Sequence, residues 1–119
     1  MATSLTDLPI VHKITEFYKD VYRLGMNMPK RDKYGVQLRI EQCSLDMLTL
    51  GIEAALKTKE DKKSGLQQLR IKVETLKHFV RISHELKIFD QKTYISLESR
   101  LQEISKMAYG WMQHNGSSS

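Results

Sequence analysis

The residues of this chain whose types could do chemistry are four histidines, one cysteine and two groups of cations. Histidines hold metals or move protons only in company. His12, His78, His84 and His114 form neither an H-E-x-x-H pair nor the E-x-x-H pairs that cradle two metal ions inside helical bundles, and Glu74 with His78 stands one residue too wide for the latter. Cys43 alone makes no internal disulfide and no thiolate zinc site, and no histidine lies at helical contact spacing to take its proton. It reads as a small buried apolar residue. There is no glycine-rich phosphate loop. The expectation is therefore a protein that is not an enzyme, with no catalytic residue, no metal and no cofactor.

The cations point elsewhere. Lys30, Arg31 and Lys33 follow Pro29 at the start of a helical pattern, where the helix dipole disfavours positive charge by roughly 0.3 to 1 kcal/mol each. Stability does not ask for them there, whereas cations beside the unpaired N–H groups of a helix start make a site for phosphate. Further on, Lys63, Arg70, Lys77, Arg81 and His84 project within about 60° of one another on an ideal helix. These eight residues are the candidate nucleic-acid-binding set. The balance of 19 Lys+Arg against 14 Asp+Glu, net +5, agrees with anionic partners. Asp32, Glu74 and Glu85 stand near enough to turn part of the stripe into ordinary surface pairs. Few aromatics accompany the stripe, so phosphate contacts are expected to dominate and base stacking to add little.

Four helices must position these groups. Pro9 sits in the first turn of a helix capped by Thr6 or Asp7, and Ile10, Ile14, Phe17, Val21 and Leu24 recur at helical spacing until Gly25, Asn27 and Pro29 stop it. The second helix is predicted over residues 30–56, with Leu38, Leu45, Leu48, Ile52 and Leu56 as its core seam. The polar run KTKEDKKSG, residues 57–65, reads as a loop or a frayed helix start. Leu66, Leu69, Val73, Leu76 and Val80 carry the third helix to about Ile88, and Asp90 caps a fourth bearing Tyr94, Leu97, Leu101, Ile104, Ala108 and Trp111. Such short connections imply an all-α, up-down-up-down four-helix bundle over residues 8–114, after a capping segment at 1–7 and before a flexible tail at 115–119. With 119 residues, one domain is expected. No apolar run approaches the roughly 20 residues of a membrane span, and no cleavable leader opens the chain, so a cytoplasmic location is expected.

The second helix carries a further apolar stripe. Val36, Ile40, Cys43, Met47, Leu50 and Ala54 point nearly opposite to the Leu38–Ile52 seam, with Arg39, Asp46 and Glu53 between them on one side. The third helix adds Ile71, Phe79, Ile82 and Leu86 beside its main seam. A helix of a monomeric bundle buries one stripe somewhat over 100° wide. The extra stripe is therefore read as the interface of a homo-oligomer.

The segments MPKRDKYGVQLRIE, LKHFVRISHELKI and EISKMAYGW, in that order between about residues 8 and 111, resemble the accessory variability determinant family of diversity-generating retroelements. The resemblance implies a non-enzymatic four-helix bundle assembled as a homopentameric barrel. It implies binding of DNA or RNA and of the retroelement's reverse transcriptase, in support of the error-prone copying of a template RNA into cDNA. The family's basic surface maps onto Lys30, Arg31, Lys33, Arg70, Lys77 and Arg81. Where the family tends toward Gly-Gly-Trp, this chain has Tyr109-Gly110-Trp111, which argues against a very close helix approach there; Gly110 and Trp111 are read as a plug at the bundle's end. The four-helix bundles encoded in ribosomal RNA intervening sequences share the Pro-Lys and basic-Tyr opening, and an interaction oligomer of that type is the neighbouring alternative.

Overall fold

The structure, a computed structural model, describes residues 8–117, all helical apart from short links. Helix α1 spans Pro9–Gly25, with its proline at the first position, where the missing N–H costs nothing. The expected caps Thr6 and Asp7 lie outside the described residues. Ile10, Val11, Ile14, Phe17 and Val21 are buried along α1, while Leu24 packs only partly against the core.

The predicted single helix over residues 30–56 is two helices. One turn, α2 (Lys30–Lys33), is followed by α3 (Val36–Leu56). Gly35 causes the break: a Cβ built on it would lie 2.7 Å from the Arg31 carbonyl oxygen, so the chain closes over itself here only without a side chain. The Tyr34 N–H donates to the Lys30 carbonyl at 3.0 Å and the Gly35 N–H to that of Asp32 at 3.2 Å, which tightens the turn before α3 begins.

In the other direction, most of the polar run at 57–65 belongs to a helix. Helix α4 spans Lys59–Glu85, leaving Lys57 and Thr58 as the link. Thr58 is extended at its head, and Glu60 and Asp61 in the first turn suit the positive end of the dipole. At the far end the Ile88 N–H reaches the Ser83 carbonyl at 2.8 Å and the Lys87 N–H that of His84 at 3.0 Å. Lys87 takes the left-handed position of this closing motif, at φ 63. As expected, Asp90 caps α5 (Gln91–Ser117), its carboxylate accepting the Thr93 N–H at 2.8 Å. Helix α5 runs beyond the expected boundary at 114.

The long helices form an all-α four-helix bundle in which α1 touches α3 and α5, and α4 touches α3 and α5. The ion pairs Lys13–Glu103 and Asp20–Arg100, at 3.2 and 2.6 Å, set α1 antiparallel to α5. Gln37, fully buried at the head of α3, donates to the Val21 carbonyl of α1 at 2.7 Å. Gly25 packs directly on that amide, so the end of α1 is clasped to the start of α3 on either side of the α2 knuckle.

The two stripes of the second helix exchange roles. Ile40, Cys43, Met47 and Ala54 are buried in the chain's own core, with Val36 and Leu50 partly buried against it. Leu45 and Leu56 are exposed, and Leu38, Leu48 and Ile52 only partly covered. The interface assigned to the first set is thereby corrected for Ile40, Cys43, Met47 and Ala54, because residues enclosed by their own chain cannot also meet another subunit, while Val36 and Leu50 keep part of their surface open. Small groups decide the choice. Ser44 and Gly51 share the Ile40–Met47 face, and the flat surface at Gly51 admits Ile14 and Val11 of α1, an approach that a leucine-rich face would block.

Candidate nucleic-acid interface

The eight candidate cations fall into two physical groups. On α4, Arg70, Lys77 and His84 follow one another at seven-residue intervals and meet α5 residues in reverse order. The Arg70 guanidinium lies 4.8 Å from the centroid of the Tyr109 ring. Lys77 reaches Gln102 Oε1 at 2.5 Å and Glu74 at 3.2 Å, and its side chain is only 16% exposed. The His84 ring stacks on Tyr94 at 4.5 Å and 6°, with Nδ1 3.3 Å from the Phe89 carbonyl oxygen. Arg81 is exposed, with Nε 3.9 Å from Glu85. The stripe is thus largely a polar and aromatic seam between α4 and α5. Arg70 Nε is buried there without a hydrogen-bond partner.

Lys30, Arg31 and Lys33 differ. None of them joins an ion pair among the described residues. Lys30 and Arg31 are exposed, and Lys33 is half-buried with Nζ 5.9 Å from the Tyr34 ring centroid. Asp32 lines an open depression with Met28, Pro29, His84 and Lys87. The end of α4 comes close to this turn, where His84 and Lys87 line the same depression as Asp32, but the two groups of cations do not merge into one pool. Arg81 instead lines a groove with Glu74, Lys77, His78, Tyr94 and Glu98. Lys63 is exposed toward the opposite end of α4, more than 30 Å from His84 at about 1.5 Å per residue.

Sequence reasoning missed Tyr94, Gln102 and Tyr109 as partners of the stripe. Their spacing of seven to eight residues on α5, matching the heptads of α4, is the signal that would have found them. A Cβ placed on Gly110 would meet no atom within 4 Å, while Trp111 packs partly against the core with Lys62 Nζ 5.3 Å from its ring.

Burial pushes the Cys43 thiol above its ordinary pKa, against the smaller pull of Lys72, and its sulfur lies 3.6 Å from the Lys72 carbonyl oxygen. A thiol held protonated is a poor nucleophile. The Thr93 backbone N–H holds the Asp90 carboxyl below its usual value. Among the described residues no three His, Cys, Asp or Glu side chains converge on a metal-sized site, and no helix is long and apolar enough to cross a membrane.

Helical throughout its described residues, with three unpaired cations on the α2 turn, the molecule falls in the class of small four-helix bundles. A family model described as bAvd-like matches residues 8–115. The chain belongs to that family, the accessory variability determinant proteins that its basic and aromatic segments resemble. No curated protein matches it in sequence.

Proposed function

We propose that this chain is a non-enzymatic accessory protein of a diversity-generating retroelement, which binds nucleic acid and the element's reverse transcriptase in support of mutagenic cDNA synthesis. The observation that carries the nucleic-acid half is the α2 knuckle: three cations within one turn, none drawn into an ion pair among the described residues. Phosphates are the partners that such a group fits, and phosphate contacts hold a strand without reading its bases. Exposed Arg81 adds to the surface, Lys63 stands apart at the other end of α4, and Arg70, Lys77 and His84 serve first to join α4 to α5.

The protein works as a homo-oligomer in this reading. Two apolar surfaces remain outside the bundle. One is formed by Tyr22 of α1, Met26 just beyond its end, and Leu38 and Leu45 of α3; the other by Ile71 and Ile82 of α4 with Leu86 just beyond its end. A polar seam, where Lys72 pairs with Asp46 at 3.6 Å, runs between α3 and α4. Two unlike patches on different flanks suit head-to-tail contacts, which close into a ring, better than the self-matching patch of a twofold dimer. A pentameric ring is the form that the family resemblance implies.

The test is fluorescence anisotropy on an RNA–DNA hybrid across a salt series. Wild-type log K should fall by about 0.7 to 0.9 per phosphate neutralised for each decade of salt. A Lys30→Glu, Arg31→Glu, Lys33→Glu protein should keep its helicity and mass, lose most affinity and flatten that slope. Unchanged affinity and slope in the correctly assembled variant would overturn the interface. Retention of the reverse transcriptase through co-purification at raised salt tests the other half, because a contact with apolar anchors outlasts the screening that removes charge attraction alone.

A further inference from the structure

We infer that Tyr34 is a stacking platform for an unpaired base, so that the α2 knuckle prefers single-stranded nucleic acid, or the unpaired stretch beside a duplex, to continuous duplex. This rests on the reading of the knuckle as a nucleic-acid surface. The sequence alone pointed away from it, because aromatics are few beside the cations of the third helix. Of the two candidate groups, the α2 trio is the one that joins no ion pair among the described residues, and an aromatic ring stands beside it.

The fold makes no visible use of that ring. Tyr34 is 65% exposed, stands outside the hydrophobic core, and its hydroxyl has no hydrogen-bond partner among the described residues. The ring's cationic neighbour is Lys33 Nζ, at 5.9 Å. Its backbone, by contrast, is held firmly. The Tyr34 N–H bonds to the Lys30 carbonyl, φ and ψ are −99 and 3, and the adjoining Gly35 fits only because it lacks a side chain. A fixed backbone with a free ring is what a contact surface requires, since little chain entropy remains to be lost on binding.

Placement decides the partner. Tyr34 follows Lys30 by four residues and Arg31 by three, spacings that put all three on one side of a single helical turn. Cations able to hold phosphates therefore stand beside a flat ring able to receive a base, the combination by which proteins hold single strands without sequence preference. A base within continuous duplex is already stacked and paired on both sides and cannot offer its face. Asp32, the one acid of the turn, lines the depression shared with His84 and Lys87 and forms no ion pair with the three cations.

The experiment compares wild type, Tyr34→Ala and Tyr34→Phe on a single strand and on a blunt duplex of equal length, by anisotropy at matched salt. The expected result is a loss of about tenfold on the single strand for Tyr34→Ala, in the range that one stacked base supplies. Duplex affinity and both salt slopes should be unchanged, and Tyr34→Phe should restore the single-strand affinity because the ring, not the hydroxyl, is used. Equal loss on both substrates, or none on either, overturns the stacking role while leaving the phosphate surface standing. Loss of polymerase retention with both nucleic acids still bound as in wild type assigns the ring to a protein partner and overturns it too. A wild type that binds neither substrate removes this inference and the proposed function together.

Discussion

Gly25→Ala should destabilise the protein, although alanine is the better helix former, and the reason is a single contact. A Cβ at Gly25 would stand 2.9 Å from Gln37 Nε2, 3.0 Å from Glu41 Oε2 and 3.1 Å from Gln37 Cγ. Glu41 is half-buried and can swing its carboxylate aside. Gln37 cannot: it is fully buried, and its Nε2 donates to the Val21 carbonyl at 2.7 Å and to Glu41 at 2.9 Å. Propensity favours the substitution by at most about 1 kcal/mol at this terminal position. Displacing a buried amide from its acceptors costs about 1 to 3 kcal/mol. The net expectation is a loss of about 1 to 2 kcal/mol. In a Gln37→Ala background the obstacle is gone, and Gly25→Ala should stabilise by about 0.5 to 1 kcal/mol. The assay is urea unfolding of all four proteins by far-UV circular dichroism at one subunit concentration, because an oligomer's stability depends on concentration. The sign reversal is the signature of direct coupling. A Gly25→Ala effect of the same sign and size in both backgrounds would refute the clasp.

Leu45→Glu should keep wild-type helicity and lower the mass found by light scattering, whereas Met47→Glu, which places a carboxylate at a fully buried position, should lose its helical signal. A wild-type mass for Leu45→Glu would remove that face from the interface. Lys87→Gly should raise unfolding stability by roughly 0.5 to 1 kcal/mol, since the left-handed penalty of about 1 to 2 kcal/mol outweighs glycine's extra chain entropy; an unfolding midpoint at or below wild type contradicts this. The Asp90 carboxyl is held below its ordinary pKa by the Thr93 N–H, so its stabilising contribution is complete above the ordinary aspartate value and is lost as pH falls through the lowered one. Thermal melts through the acid range should therefore decline more steeply for wild type than for Asp90→Asn, and parallel curves would show that the cap does not depend on charge.

Much of the bundle is legible in the sequence because helical period, proline and glycine act locally. Leu66, Leu69, Val73, Leu76 and Val80 are spaced as a core seam and all are fully enclosed. Asp90 reads correctly as a cap because its bond reaches only three residues along the chain. The break at Gly35 is not legible: one glycine within a helical pattern is usually tolerated at a cost of about 1 kcal/mol, and nothing local reports that a Cβ would meet the Arg31 carbonyl. The start of α4 is ambiguous between loop and frayed helix because KTKEDKK lacks apolar residues, although its acids lie where a helix start favours them.

By itself the sequence determined four amphipathic helices, two apolar stripes on the second of them, and a set of cations for which folding has no need. It also carried the family, through the order of its basic and aromatic segments. Tertiary structure alone decided which stripe faces inward, with Ile14 and Val11 of α1 packing over Gly51 on the buried side of α3. It likewise decided which cations remain free. Arg70, Lys77 and His84 each found a partner on α5, in Tyr109, Gln102 and Tyr94. Charge satisfaction between two helices depends on their antiparallel register once packed, which periodicity within either one does not specify.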